Sequence, residues 1–287
     1  MSVQIVIDRN DPLISVIIPS LDGYRGGNVP KLLEDIKSQT LKDLEVIIVK
    51  GVTPNGRARN EGVKVAQGKY IVSIDDDVRL GNDRVIDNLI SPFLEETRET
   101  KDERRIGLTG ASQLIPDDSS YFQKCAIKQI PRTYFPIVNE ITETDMVSHM
   151  CLAIPAQLYK DIGWESDVLK SGTDPDLRFR VRQAGYKIVV VPNTWAYHPL
   201  PKTFYALLKM SYNKGKDSAW VRKYYPQFVY ELSDGFKSDF KLKRSFIYRI
   251  IRGVWIIIEL VITFKLINFT SKVSYTLGYL VGTIRGK

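Results

Sequence analysis

Three carboxylates in a row, Asp75, Asp76 and Asp77, follow the apolar run Tyr70–Ile74 without a break. In an extended segment successive side chains alternate, so Asp75 and Asp77 are expected on one side and Asp76 on the other. Two hard oxygen donors on one side suit Mn²⁺ or Mg²⁺, held jointly with substrate phosphates; the plainer reading is a solvated acidic turn. Asp174 lies in GTDPDLRFRVRQAGYKIVVVP (172–192) and is followed by Pro175. That order reads as an N-cap and a first helical residue. A carboxylate at a helix start is kept ionised by the dipole and can act as a general base, or it can be a cap and nothing more. His198, in TWAYHPLP, could bring an imidazole to a metal already held by carboxylates, or be an ordinary loop residue. The other histidine, His149, has no such context and reads as structural.

Strand and helix signals alternate through the first 198 residues. LISVIIP (13–19), LEVIIV (44–49), YIVSI (70–74) and IGLTGA (106–111) are short β-branched runs with turn residues at their borders. Between them lie helical stripes: Leu32, Leu33 and Ile36 after Pro30; Ala58, Val63 and Ala66; Val85, Ile86, Leu89 and Ile90. A last pair follows, with Leu177, Val181 and Ala184 on a helix closed by Gly185, then a strand over 186–192. This order predicts an α/β fold with a largely parallel sheet covered by helices on both faces. Residues 112–150 have weak periodicity and are expected to be loops and short strands around a site. The charged stretch Glu95–Arg105 is expected to be a solvated helix end and loop. Ligands of open parallel sheets sit beyond the carboxyl ends of the strands, which nominates one crevice at Pro19, Val49 and Asp75–Asp77.

The chain has 287 residues, 44% hydrophobic and 26% charged, which excludes disorder as its main state. Two cysteines give no disulfide framework and suit a reducing cytosol, and the first residues lack the order of a signal peptide. Net charge is +8, and it is unevenly placed: after His198 there are 16 basic and 5 acidic residues. The same region carries FIYRIIRGVWIIIELVITFKLINF (246–269) and a second apolar stretch, Val273–Ile284. The longest nearly apolar part, Gly253–Phe264, makes a helix of roughly 18 Å, short of a hydrocarbon core of about 30 Å. Apolar helices edged by Arg, Lys and Trp predict an interfacial anchor on an anionic membrane surface; the alternatives are a helix packed on the protein's own core and a tilted or re-entrant span. Nucleic acid is not expected as a partner, because a groove binder needs exposed polar contacts rather than WIIIELVI. Two regions are expected: 1–200 as the catalytic domain and 201–287 as a helical, membrane-associating region.

Taken in order, ISVIIPS (14–20), LLEDIKSQT (32–40), LEVIIVKG (44–51), RARNEGVKVAQGKYIVSIDDD (57–77), DIGWESDVLKSGTDPDLRFRVRQAGYKI (161–188) and AYH (196–198) resemble the family-2 inverting glycosyltransferases. The resemblance implies a GT-A fold, with nucleotide-binding and acceptor-binding halves fused in one domain. It implies that Asp75 and Asp77 hold a metal and the donor diphosphate, with Asp76 beside them and His198 as a further ligand. Asp174 then matches the catalytic base; Pro19, Ser20, Arg59 and Asn60 fall at donor-site positions; Trp164 and Glu165 match an acceptor-side loop. The sequence departs from the family pattern at Thr173, where an acidic residue commonly precedes the base. It departs again at Lys50, where many members carry an aspartate. The loop GVTPNGRARNEG (51–62) is basic, so Lys50, Arg57 and Arg59 are candidates to meet nucleotide or phosphate. AWVRKYY (219–225) is not the Gln-x-x-Arg-Trp of processive polymerases.

The expectation is a non-processive, Mn²⁺- or Mg²⁺-dependent inverting glycosyltransferase of hexosyl type at the cytoplasmic face of a membrane. It would move a sugar from a nucleoside-diphosphate sugar to a hydroxyl or phosphate acceptor, a lipid-linked glycan or polyprenyl phosphate. The alternative is a nucleotide-sugar-binding or membrane-interaction protein on the same fold without transferase activity.

Overall fold

β2 (Ile14–Ser20) is buried throughout, and its side chains alternate between two apolar clusters: Ile14, Val16 and Ile18 enter one, and Ile17 enters another. β3 (Leu44–Lys50) divides the same way, with Leu44, Val46 and Ile48 against Ile47 and Val49. The two clusters are the two faces of one sheet, because successive strand side chains point to opposite faces. Over the first face lie α1 (Asn28–Lys37), through Val29, Leu32 and Ile36, and α3 (Val85–Glu95), through Val85, Ile86, Leu89 and Ile90. The second face is covered by α2 (Asn55–Val65), α5 (Ala156–Asp161) and α6 (Thr173–Gln183). Each such aliphatic side chain contributes about 1.5–3 kcal/mol by leaving water.

The computed structural model describes residues 2–95, 105–130, 133–226 and 246–285. Most of the charged stretch predicted as a solvated helix end and loop, residues 96–104, lies outside the described residues. The chain forms two compact units, Met1–Leu114 with Phe135–His198, and Ile115–Tyr134 with Pro199–Lys287.

The first unit holds a nine-stranded sheet. Besides β2 and β3 it contains β1 (Ser2–Ile7), β4 (Tyr70–Ile74), β5 (Arg79–Leu80), β6 (Ile106–Leu114), β7 (Thr142–Glu143), β8 (Cys151–Pro155) and β9 (Lys187–Tyr197). The order is β1-β3-β2-β4-β8-β6-β9-β5, with β7 on β9. β2, β3 and β4 are parallel neighbours, as are β6 and β9, so the predicted parallel framework is present. β8 was not predicted, and it runs antiparallel between β4 and β6, pairing Ile74 with Cys151 and Gly110 with Leu152. That reversal puts the start of β8 at the end where β4 finishes, and carries residues 148–150 to the mouth of the predicted crevice. A buried latch of Ser15, Glu45 and the Gln67–Gly68 backbone fixes the opposite end: Ser15 Oγ donates to Glu45 Oε1 at 2.6 Å and accepts from Gly68 N–H at 2.8 Å. An alanine Cβ at Gly68 would lie 2.4 Å from the Ser15 nitrogen.

The second unit comprises α4 (Tyr121–Gln129), α7 (Phe204–Tyr224), α8 (Phe246–Ile262) and α9 (Leu266–Arg285). α4 also escaped the sequence reading. Its start is a capping box in which Ser120 and Gln123 satisfy each other's backbone N–H groups. Gln123 Nε2 further donates to the Leu200 carbonyl at 2.6 Å. α7 and α9 meet backbone to backbone: a Cβ at Gly215 would fall 2.0 Å from the Tyr275 carbonyl oxygen, and one at Gly278 2.0 Å from that of Tyr212. On α8, Ile247, Ile251, Val254, Trp255, Ile258 and Ile262 are exposed. Their spacing of three and four residues makes a continuous apolar stripe. Among the described residues no helix is long and apolar enough to cross a membrane.

Candidate functional site

β2 ends at Ser20, β3 at Lys50, β4 at Ile74 and β9 at Tyr197, and the parallel strands bring these ends to one edge. The crevice nominated by topology is therefore lined by Ser20, Asp75–Asp77 and His198. The backbone leaves the extended conformation after Ile74 and turns, with Val78 N–H donating to the Asp75 carbonyl at 3.2 Å. The alternation expected for the three aspartates therefore has no strand to rest on, and each finds a different partner. Asp75 Oδ1 accepts from Arg59 Nη2 at 2.6 Å. Asp76 Oδ2 accepts from Ser20 Oγ at 2.7 Å, and its Oδ1 lies 3.4 Å from Arg25 Nε. Asp77 Oδ2 accepts from Arg25 Nη2 at 3.1 Å, and its Oδ1 stands 3.4 Å from His198 Nε2. Asn28, the first residue of α1, fastens the turn by donating to the Asp76 and Val78 carbonyls.

Charge near these carboxylates sets their protonation. Burial pushes Asp75 and Asp76 up; Arg59 beside the first, and the Ser20 hydrogen bond with Arg25 at the second, only partly offset it. Burial also acts on Asp77, but the hydrogen bond and charge of His198 outweigh it and hold Asp77 below the ordinary value. Burial would lower His198, and the bond to Asp77 reverses that and raises it.

Arg25 and His149 join the site without having been foreseen. Arg25 sits in the loop GYRGG, in a left-handed conformation at φ 48°, and its guanidinium bridges Asp76 and Asp77. A guanidinium near a carboxylate triplet is invisible in sequence when it comes from a loop fifty residues upstream. His149 is 3% exposed; its Nε2 is 2.8 Å from Glu165 Oε1 and its Nδ1 is 2.7 Å from Asp174 Oδ1. His149, read from sequence as structural, thus lies between two of the candidate site residues, and β8, running antiparallel from Cys151, delivers it there.

Asp174 is the second residue of α6; the left-handed Gly172, φ 84°, is the N-cap. The expectation of Asp174 as N-cap is thus off by two positions, because Gly172 takes the turn conformation that a side-chain cap would otherwise supply. Its carboxylate lies in the first turn, where free N–H groups and the helix dipole favour negative charge. Burial opposes that charge, and the His149 cation with its hydrogen bonds overcomes it, holding Asp174 far below the usual carboxylate range. The Asp174 side chain is 36% exposed, so one side of it is open.

Arg59, 3% exposed, lies between Asp75 and Glu165, with Nη1 3.3 Å from Glu165 Oε2. Asn60 is saturated: it donates to the Glu165 carbonyl and Asp167 Oδ1 and accepts from Tyr159 Oη and Glu165 N–H. It clamps the 164–167 loop. Glu165, expected on the acceptor side, turns inward and is 1% exposed, committed to Arg59 and His149. Trp164 beside it is half-buried, has φ 64°, and packs edge-on against Tyr159. Pro19 is buried within β2, paired with Val49. Arg57 stands exposed on α2, outside the ion-pair network. The Lys50 side chain passes under Gly23, where a Cβ would meet its Cε at 2.2 Å. Among the described residues, no group of three or more His, Cys, Asp or Glu side chains is arranged to hold a metal ion.

No curated protein matches the chain. Among solved structures, the mannosyltransferase PcManGT from Pyrobaculum calidifontis, in complex with GDP-Man and Mn²⁺, is similar over 100% of this chain and 91% of its own. The TM-score is 0.57 at 12% identity, which establishes a shared fold of GT-A type. TarS of S. aureus matches 74% of this chain and 44% of its own, with TM-score 0.49 and 13% identity, and adds nothing to the fold assignment. A family model described as "Glycosyltransferase like family" matches residues 27–224, more than half of the chain, taking in α1, the aspartate turn, His149, Asp174 and His198. With that span matched, the chain belongs to the glycosyltransferase like family.

Proposed function

We propose that this glycosyltransferase is a metal-dependent, inverting hexosyltransferase that takes its sugar from a nucleoside-diphosphate donor. The observation that carries the reading is Asp174: an ionised carboxylate, open on one side, at a helix start on the same edge as Asp75, Asp77 and His198. In this reading Asp174 accepts the proton of an acceptor hydroxyl as that oxygen attacks the anomeric carbon. The bond from that carbon to the diphosphate oxygen breaks on the opposite face, so the configuration inverts. The departing electron pair stays on the nucleoside diphosphate, and Arg25, half-exposed beside Asp77, is positioned to meet its charge.

Asp77 Oδ1 and His198 Nε2 converge to 3.4 Å and pair an oxygen with an imidazole donor, with Asp75 on the same turn. Two side-chain donors of these types would suit Mn²⁺ or Mg²⁺, with phosphates and water supplying the rest of the shell. Such an ion, when bound, supplies charge neutralisation to the diphosphate. The Mn²⁺ and GDP-Man of the Pyrobaculum calidifontis protein support this assignment by shared fold.

The acceptor is read as a lipid-linked glycan or polyprenyl phosphate at the cytoplasmic face of a membrane, supported by the α8 stripe and the basic excess after His198. With donor, Mn²⁺ and acceptor supplied, Asp174→Asn is expected to lose transfer by roughly 10²–10⁴-fold with donor binding unchanged. Full transfer in that variant would remove Asp174 as the base. Donor binding without turnover in the unmodified protein, across a broad acceptor set, would favour a nucleotide-sugar-binding role.

A further inference from the structure

His149 makes three polar contacts, and all of them go to acidic side chains. Its backbone N–H and its ring Nδ1 both reach Asp174 Oδ1 at 2.7 Å, and its Nε2 reaches Glu165 Oε1 at 2.8 Å. Neither contact to Asp174 engages Oδ2. The carboxylate is thus held by one oxygen, leaving the other for an incoming proton. Glu165 is itself fixed from behind by Arg59, whose other nitrogens hold Asp75 Oδ1 and Ser73 Oγ. The result is a chain of alternating charge, Asp75–Arg59–Glu165–His149–Asp174, running from the donor-side turn to the base. The loop that carries His149 is pinned in turn by Arg178, which donates to the Val147 carbonyl.

We propose that His149 is the positioning residue of this enzyme: an imidazolium clamped between Glu165 and Asp174 that fixes Asp174 by Oδ1 and presents Oδ2 to the acceptor. The inference rests on Asp174 being the base. A ring with a carboxylate oxygen at hydrogen-bonding distance from each nitrogen satisfies both only as the doubly protonated form, since a carboxylate accepts and does not donate. A neutral residue in its place would leave Glu165 and Asp174, both facing the same pocket with Arg59 alone between them and Asp75, repelling each other. The ionisable and charged groups around the ring are Glu165, Asp174, Arg59, Arg178 and Asp75. Burial and the Arg59 charge lower the imidazolium's pKa, and the Glu165 and Asp174 charges outweigh them, setting it at about 9.

The test reads the proton directly. Nitrogen NMR of the full chain with labelled histidine, at pH 7.5 and without donor or metal, is expected to find protons on both ring nitrogens of His149. Only one other histidine is present, and His149→Gln assigns the signal by removing it. A bare ring nitrogen would overturn the clamp. The same variant, with thermal melting confirming that it folds, is then compared in Mn²⁺-dependent release of nucleoside diphosphate from UDP-, GDP- and dTDP-sugars. His149→Gln is expected to lower kcat by roughly 10- to 100-fold, with donor KM within about twofold, a split that loss of a general structural contact does not produce. The unmodified enzyme is expected to slow as pH rises and His149 loses its proton, and the variant to lack that decline. Unchanged kcat, or an unchanged pH profile, would overturn the positioning role. Absence of release from the unmodified enzyme would count against the transferase mechanism instead, with the proton state of His149 still read independently.

Discussion

Neutralisation decides which residues matter at the site. Asp75, Asp76 and Asp77 are adjacent in sequence yet are held by three different sets of partners, Arg59, Ser20 with Arg25, and Arg25 with His198. Among the three, removing Arg59 therefore acts on Asp75 alone, whereas removing Arg25 acts on Asp76 and Asp77 together. Arg25→Ala should leave the fold intact, because the guanidinium is half-exposed and exposed ion pairs contribute little, about 0–1 kcal/mol. It should weaken binding of a nucleoside diphosphate, measured by calorimetry in the presence of Mn²⁺; equal affinity in the variant would remove Arg25 from the donor site. The pH dependence of stability follows from His149. Its folded pKa, about 9, lies above the ordinary 6.5, so the folded state holds a proton the unfolded state releases. That stabilisation is fully present below about 6.5 and is lost as pH rises through about 9. Melting temperature should fall between those values, and His149→Gln should flatten the fall. A slope that is the same in the variant would place its origin elsewhere. Asp174 acts in the opposite direction: its depressed pKa stabilises above the ordinary carboxylate value, and that contribution is lost only as pH falls toward the folded value.

Among the elements, the parallel strands and their helices were legible because each carries an uninterrupted apolar run or a stripe of period 3.6, as in Ile14–Ser20 and Leu32 with Ile36. β8 was not legible. CLAIP is five residues long, and neither its strand state nor its direction is written in its composition; both come from pairing with β4 and β6. Losing β8 meant losing His149, since only the reversed strand brings residue 149 to the carboxyl ends of the others. α4 carried a readable signal, Ser120 followed three residues later by Gln123, set in a segment of weak periodicity. The aspartates were legible as a site, with Ser20, Arg59 and His198 beside them, but Arg25 was not, because it reaches them from a loop across the fold. α2 and the 164–167 loop offer a test at this scale. A Cβ at Gly56 would lie 2.5 Å from the Ser166 carbonyl oxygen and 3.3 Å from Glu165 Oε2. Gly56→Ala should displace that loop, cost about 1–3 kcal/mol in denaturant unfolding, and reduce turnover along with stability. Unaltered unfolding would mean that the loop yields without strain.

The chain comprises an α/β unit and a helical one, and the net positive charge belongs to the region after His198. Before the boundary at His198 the acidic residues are the more numerous; after it the basic ones exceed them threefold. The α8 stripe, with Trp255 and Ile262 each about 70% exposed, supplies apolar area to go with that charge. Amphipathic helices bind interfaces by both contributions, and the electrostatic one weakens with salt. The full chain should float with vesicles containing phosphatidylglycerol and much less with phosphatidylcholine alone. Ile251→Glu combined with Trp255→Glu should abolish flotation without changing donor binding. Equal flotation with both lipids would exclude the anionic surface as the partner.

The measurement that bears most directly on the account is release of nucleoside diphosphate from a panel of UDP-, GDP- and dTDP-sugars, with Mn²⁺ present or chelated, by the unmodified chain beside Asp77→Ala. Release is expected from one donor, requiring the metal and lost in the variant, with the same donor raising the melting temperature. Release that is indifferent to chelation and to Asp77→Ala would contradict the metal assignment. No release and no thermal shift with any nucleotide sugar would contradict the donor site itself.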